Sequence, residues 1–280
     1  MLTAILRSLR TGIVTISYPD GPARIPERFR GAPRVHPGSP METLPPASTC
    51  PSGAIAAGEG RYAIDLGRCV FCGRCAEASP DGAIELGREV ELASRSRGSL
   101  VVEVASGPGG FAVPVPAAPP QGGAAERIRR TLGRSLHLRH LDSGSCNACD
   151  WELTALLNPV YDVRRLGIDF VASPRHADGV IVTGPVTRNL EPAVRRTWEA
   201  VPEPRIAIAV GACATSGGIA GRSYASAGGA GEVLPVDVFI PGCPPRPEAI
   251  IFGILLAVGR MDERRRVSSA TGMSRPPALT

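Results

Sequence analysis

Three cysteines fall within one short run, Cys69-Val-Phe-Cys72-Gly-Arg-Cys75, and five more stand at Cys50, Cys146, Cys149, Cys213 and Cys243. Thiolates spaced this tightly are metal ligands, and a C-x2-C-x2-C run is an iron-sulfur cluster signature. A fourth ligand normally follows such a run, immediately before a proline. Here that place holds Ser79-Pro80.

In two-cluster ferredoxins the fourth cysteine of each run ligates the other cluster, so the two halves exchange ligands. Upstream, Thr49-Cys50-Pro51-Ser52-Gly53-Ala54-Ile55 parallels Ser79-Pro80-Asp81-Gly82-Ala83-Ile84. Cys50 is therefore read as the surviving fourth cysteine of a first run whose other three positions are gone. With Cys69, Cys72 and Cys75 it completes one [4Fe-4S] set, and every missing ligand belongs to the other. A four-cysteine zinc site is the competing reading, but zinc sites use two paired C-x2-C knuckles more often than three clustered thiols plus a distant one.

The other four cysteines follow apolar runs. Leu136–Leu141, Asp169–Ala172, Gly179–Thr183, Ile206–Val210 and Val236–Ile240 read as strands, with helices expected near 150–157, 190–201 and 247–260. The last three strands are nearly continuous apolar runs, which suits a doubly wound parallel α/β sheet covered on both faces. Cys146 and Cys149, Cys213 and Cys243 each lie just past a strand's carboxyl end. In an open parallel sheet these ends share one edge, where ligands bind. Gly144, Gly211, Gly217, Gly218 and Gly242 permit close backbone approach to the sulfurs. Spacing alone leaves a second cluster, a zinc ion and buried structural thiols all open.

The surrounding composition sets the frame. Glycine (33) and proline (28) are abundant, and 43% apolar residues exclude a wholly disordered chain. The formal charge is +5; eight thiolates around two cores of about +2 each would lower it to about +1, so bulk charge gives nucleic-acid binding no support. No segment reaches the roughly 20 apolar residues of a spanning helix, and the first residues lack a secretory signal pattern. These features predict a cytoplasmic chain, where thiols stay reduced. The expected organisation is an N-terminal docking segment (1–45) opening on an amphipathic stretch, a small α+β cysteine module (46–104), a Pro/Gly/Ala linker (105–130), an α/β domain (131–265) and a tail (266–280), with Arg264-Arg265-Arg266 read as solvated tail.

Residues 133–262 resemble the small-subunit family shared by group 4 membrane-bound [NiFe] hydrogenases, including formate hydrogenlyase, and by the NuoB-type subunit of respiratory NADH-quinone oxidoreductase. The carrying elements are Asp142-Ser-Gly-Ser-Cys146-Asn-Ala-Cys149-Asp150, Ser173-Pro-Arg-His176-Ala-Asp178, Val182-Thr-Gly-Pro-Val-Thr187, Gly211-Ala-Cys213 and Val236-Asp-Val-Phe-Ile-Pro-Gly-Cys243-Pro-Pro245. The resemblance implies a flavodoxin-like fold, a second [4Fe-4S] cluster on Cys146, Cys149, Cys213 and Cys243, a partner large subunit, further subunits including a membrane arm, and a soluble electron donor or acceptor. It also implies a peripheral position at the inner face of the cell membrane. Adjacent cysteines at the first position mark the respiratory branch and C-x2-C the hydrogenase branch; this chain has the latter. Residues 1–105 are similar to the ferredoxin-like subunit of the same assemblies, through Thr11-Gly12, Tyr18-Pro19, Phe29-Arg30-Gly31 and Glu89-Val90-Glu91-Leu92-Ala93. The chain thus resembles a fusion of two electron-transfer subunits with no complete active site. Quinone reduction and a non-redox zinc scaffold are the alternatives.

Four further residues have two readings. His176 and Arg175 could couple cluster redox change to a proton or offset its charge; equally they could be a loop-holding histidine and a surface base. Asp150 and Glu152, at a helix start, could form a proton path or simply favour the helix dipole. Ser79 is read as filling a vacated ligand position.

Overall fold

The computed structural model describes residues 2–36, 39–58, 60–79, 82–105, 112–114 and 135–261. Most of the expected linker, the tail and the arginine run lie outside the described residues. α1 (Leu2–Thr11) covers the amphipathic stretch near the start of the chain. Short strands follow: β1 (Pro33–Val35), β2 (Ile55–Gly58), β3 (Arg61–Asp65), β4 (Ile84–Leu86), β5 (Val101–Ala105) and β6 (Ala112–Pro114), with helix α2 (Arg74–Glu77) between β3 and β4. β1 pairs antiparallel with β4, and β2-β3-β5-β6 form an antiparallel sheet. β6 falls inside the stretch expected to be linker.

The C-terminal half is the expected α/β architecture. β7 (Leu136–Asp142), β8 (Ile168–Phe170), β9 (Gly179–Thr183), β10 (Ile206–Val210) and β11 (Val238–Ile240) make one parallel sheet in the order β8-β7-β9-β10-β11, the flavodoxin-like 2-1-3-4-5 arrangement. Its helices are α3 (Ala148–Ala155), α4 (Glu191–Ala200), α5 (Gly211–Ser216) and α6 (Pro247–Ala257). β9 and β10 are buried along their whole length because both faces are covered.

Strand alternation divides the core in two. Ile181, Ile206, Ile208, Val238 and Ile240 face one side with α6, whereas Val180, Val182, Ala207, Ala209 and Phe239 face the other. α6 is buried throughout and apolar apart from Glu248 in its first turn, as suits a central helix.

The N-terminal half joins both layers. Ile55, Tyr62, Ile64, Ile84 and Leu100 belong to the same buried cluster as Val182 and Phe239, while Tyr18, Val90 and Ala93 belong to that of Ile240 and α6. Ser94 exchanges two backbone hydrogen bonds with Phe239, of 3.0 and 2.8 Å, along the outer side of edge strand β11. Near the start of the chain, Ile16 N–H donates to the Val160 carbonyl (2.9 Å), and Arg165 donates to the Ile16 carbonyl (3.0 Å) and to that of Tyr18. The cysteine module is thus built onto the parallel sheet.

Candidate metal centres

Cys50, Cys69, Cys72 and Cys75 line one open-mouthed cavity. Its remaining walls are largely apolar, including Pro33, Ile55, Ile64 and Leu86. A one-turn 3-10 helix ends at Cys50, and α2 carries Cys75. Phe71 sits in the left-handed region (φ 55°), an unusual state for a bulky residue. It aims the Phe71 N–H at Cys69 Sγ (3.4 Å), while Ala54 N–H donates to Cys50 Sγ (3.3 Å). Arg30, in the Phe29-Arg30-Gly31 element, donates to the Cys72 carbonyl (2.6 Å) and so fixes the ligand loop.

Ser79 behaves as its position suggests: its hydroxyl accepts the Ile84 N–H at 2.9 Å, much as Cys50 Sγ accepts that of Ala54. Gly53 and Gly82 match too, both in the left-handed region (φ 61° and 69°), each just before a strand that opens on isoleucine. The parallel read between the two segments therefore extends to backbone conformation.

The second set stands along the carboxyl edge of the parallel sheet. Cys146 lies in the loop after β7, Cys149 in the first turn of α3, Cys213 within α5 and Cys243 just after β11. Asp142 Oδ1 accepts the N–H groups of Gly144 (2.9 Å) and Ser145 (2.7 Å), which tightens the β7–α3 loop around Cys146. Cys149 Sγ packs directly against Gly211, where a Cβ would sit 2.5 Å from the sulfur. Only a residue without a side chain fits there, and Gly211 has φ +87°.

Without a metal, burial holds most of these thiols protonated. Burial pushes Cys69 up to about 12, and the neighbouring Cys75, Cys50 and Cys72 push the same way. Cys75 is raised likewise, by burial and then by Cys72 and Cys50. In the second set burial raises Cys149, reinforced by Cys213, Cys243 and Cys146; Cys213 and Cys243 are raised in the same manner. At Cys50 burial is outweighed by hydrogen bonds from Ser52, Ala54 and Ile55, leaving it lowered. Crowded, desolvated thiols of this kind ionise when a cationic core sits among them, so the donor chemistry fits a metal cofactor.

Asp150 sits in a hydrogen-bonded cluster at the start of α3. Its Oδ1 lies 2.8 Å from His140 Nε2 and accepts the Thr183 hydroxyl at 2.7 Å, and Ser145 donates to its other oxygen. Burial holds His140 below its usual value, although Asp150 and Asp142 oppose this. Sequence reasoning did not single out His140; its place on a strand ending beside the ligand loop was the available signal. Glu152 is half-buried and raised mainly by burial, with Arg246 opposing. Arg175 and His176 form an exposed turn before β9. That is the amino end of a parallel strand, so they stand at the edge opposite Cys146, Cys149, Cys213 and Cys243, and the structure does not bring them to that set.

A flavodoxin-like sheet with four thiols on its carboxyl edge, built onto a smaller module with four more, defines an α/β protein with two cysteine-rich centres. Residues 146–257, which contain all four thiols of the second set, match the family described as NADH ubiquinone oxidoreductase, 20 Kd subunit. Over 135 residues the chain is 48% identical to a probable membrane-bound hydrogenase subunit, mbhJ, of Pyrococcus furiosus, covering 48% of this chain and 81% of that protein. It is 40% identical over 151 residues to formate hydrogenlyase subunit 7 of Escherichia coli, covering 54% of this chain and 59% of that one. It is 44% identical over 126 residues to a subunit of the NADH-quinone oxidoreductase of Geotalea daltonii, covering 45% and 74% respectively. The chain belongs to this family. Cys50, Cys69, Cys72 and Cys75 lie outside the matched residues.

Proposed function

We propose that this chain is an electron-transfer subunit of a membrane-associated complex of the [NiFe]-hydrogenase or formate hydrogenlyase kind, holding one [4Fe-4S] cluster at each cysteine set. The gathering of Cys50, Cys69, Cys72 and Cys75 around one cavity carries the reading for the first centre, and the family match spanning Cys146 to Cys243 carries it for the second. A bound [4Fe-4S] cluster supplies a one-electron carrier whose potential depends on hydrogen bonds and burial. The thiolates of each set bind it, the Ala54 and Phe71 N–H groups favour the negative charge on sulfur, and the apolar walls keep water away.

Three thiols clustered within seven residues plus the distant Cys50 suit an iron-sulfur cluster better than zinc, whose four-cysteine sites use two paired C-x2-C knuckles more often. The C-x2-C pair at Cys146 and Cys149 favours the hydrogenase branch over quinone reduction. No helix among the described residues is long and apolar enough to cross a membrane, so attachment would run through partner subunits: a catalytic large subunit and a membrane arm.

Anaerobic reconstitution tests the reading. About eight irons per chain are expected, with absorption near 400 nm that dithionite bleaches. Replacing Cys69 or Cys213 by serine should each remove about half the iron; a colourless protein that binds zinc instead would overturn the proposal.

A further inference from the structure

The two cysteine sets meet through a seam built from Gly67, Thr215, Arg97 and Asp65. Gly67, two residues before Cys69, packs against Thr215, two residues after Cys213. A Cβ at Gly67 would lie 2.8 Å from Thr215 Cγ2 and 2.6 Å from the Arg97 guanidinium carbon. Neither the methyl nor the guanidinium leaves room for a side chain, so backbone meets side chain directly.

Arg97 ties the seam from both sides. Its Nη2 donates to Asp65 Oδ2 at 2.6 Å, and its Nε donates to the Thr215 carbonyl at 3.2 Å, in the last turn of α5. Asp65 in turn shapes the ligand loop: its side chain accepts the N–H of Gly67 (2.9 Å) and its backbone carbonyl accepts that of Cys69 (3.0 Å). Thr215 is buried, and its hydroxyl has no hydrogen-bond partner among the described residues, a cost tolerated at a close-packed joint. Consecutive Cα atoms are 3.8 Å apart, so each ligand lies within about 7.6 Å, Cα to Cα, of the contact.

We infer that the Gly67–Thr215 contact, locked by Arg97 and Asp65, is the electron bridge between the two centres, with Arg97 its positioning residue. The inference rests on the two-cluster reading above. One electron leaves the Cys50/Cys69/Cys72/Cys75 centre, which is oxidised by one unit. The same electron enters the Cys146/Cys149/Cys213/Cys243 centre, which is reduced by one unit; no bond or proton moves. The first centre is charged by a low-potential one-electron donor such as a photoreduced flavin or dithionite. Arg97 places its positive charge between two centres that both become more negative on reduction, and it fixes their separation. A lysine could supply the charge but not the fork that reaches Asp65 and Thr215 together.

The test uses the full reconstituted chain. Intramolecular transfer is followed after flash reduction by a flavin, and magnetic interaction between the two reduced centres is read by electron paramagnetic resonance. Gly67→Ala and Arg97→Gln should keep full iron content yet slow transfer several-fold, because electron tunnelling falls off exponentially with separation, and should weaken the magnetic interaction. Arg97→Lys should not restore the rate. Arg68→Ala, which alters the exposed side chain next to Gly67, should leave both readouts unchanged. Parental rate and coupling in Arg97→Gln and Gly67→Ala, with both centres present, would overturn the bridge while sparing the two-cluster reading. A parental chain that holds fewer than two clusters would instead sink that reading. If Gly67→Ala fails to fold, Arg97→Gln and Arg97→Lys decide.

Discussion

Replacing Gly211 by alanine tests whether the second centre depends on direct contact between backbone and sulfur. Gly211 has φ +87° and its hypothetical Cβ falls 2.5 Å from Cys149 Sγ. The left-handed conformation costs an L-residue about 1–2 kcal/mol. Overpacking the buried thiol adds about 1–3 kcal/mol. Together these give roughly 2–5 kcal/mol, a large part of the 5–15 kcal/mol that holds a typical domain. Gly221→Ala is the matched control: φ is +57° there, again left-handed, but nothing lies within 4 Å of the new methyl, so only the conformational part of about 1–2 kcal/mol is expected. Urea unfolding of the metal-free chains measures the difference, and iron analysis after reconstitution measures the consequence. Gly211→Ala should retain about half the parental iron and Gly221→Ala nearly all of it. Equal stability of the two variants, with full iron in both, would refute the argument that Cys149 is positioned by the space Gly211 leaves.

Ser79→Ala should destabilise the chain by about 1–2 kcal/mol, since the Ile84 N–H loses its acceptor, without changing iron stoichiometry; denaturant midpoints and iron content check both parts. Arg246→Ala should cost about 3 kcal/mol or more in unfolding experiments, because the bidentate partner Glu248 is only 1% exposed and would be left as a buried, unpaired charge. His140 is held below its ordinary value by burial, against Asp150 and Asp142 and with Arg139 reinforcing. The unfolded chain then binds the proton more tightly, so this contribution to stability is complete above about pH 6.5 and is lost as pH falls below it. Replacing His140 by glutamine should remove that segment of the stability profile; an unchanged profile would contradict it.

The parallel sheet was readable because β9 and β10 are uninterrupted apolar runs, and such runs with helices between them admit few arrangements. Its carboxyl edge followed, and with it the placement of Cys146, Cys149, Cys213 and Cys243. The helix that carries Cys213 was not legible: Gly211–Ser216 starts where β10 stops and is too short for any periodicity. Strand direction also separates His176 from that edge, and the order of residues along β9 already contained this, although the chemistry of histidine drew the reading elsewhere. In the N-terminal module the pairing of Cys50 with the 69–75 run was accessible through the repeated Pro-x-Gly-Ala-Ile pattern. The antiparallel sheet was not, since β2 is only four residues long with three of them exposed. What joins the halves was least visible of all. Arg97 reaching Thr215 and Ser94 pairing with Phe239 are contacts over more than a hundred residues, between positions with no distinguishing local pattern.

The two-bond bridge between Ser94 and Phe239 also has a bearing on how the chain could be divided. A fragment starting near residue 135 would lose that segment, leaving the N–H and C=O of Phe239 bare on the outer side of β11. Edges of this kind recruit foreign strands. Expressed alone, the C-terminal piece should therefore self-associate, and supplying residues 1–105 in trans should return it to solution as a one-to-one pair.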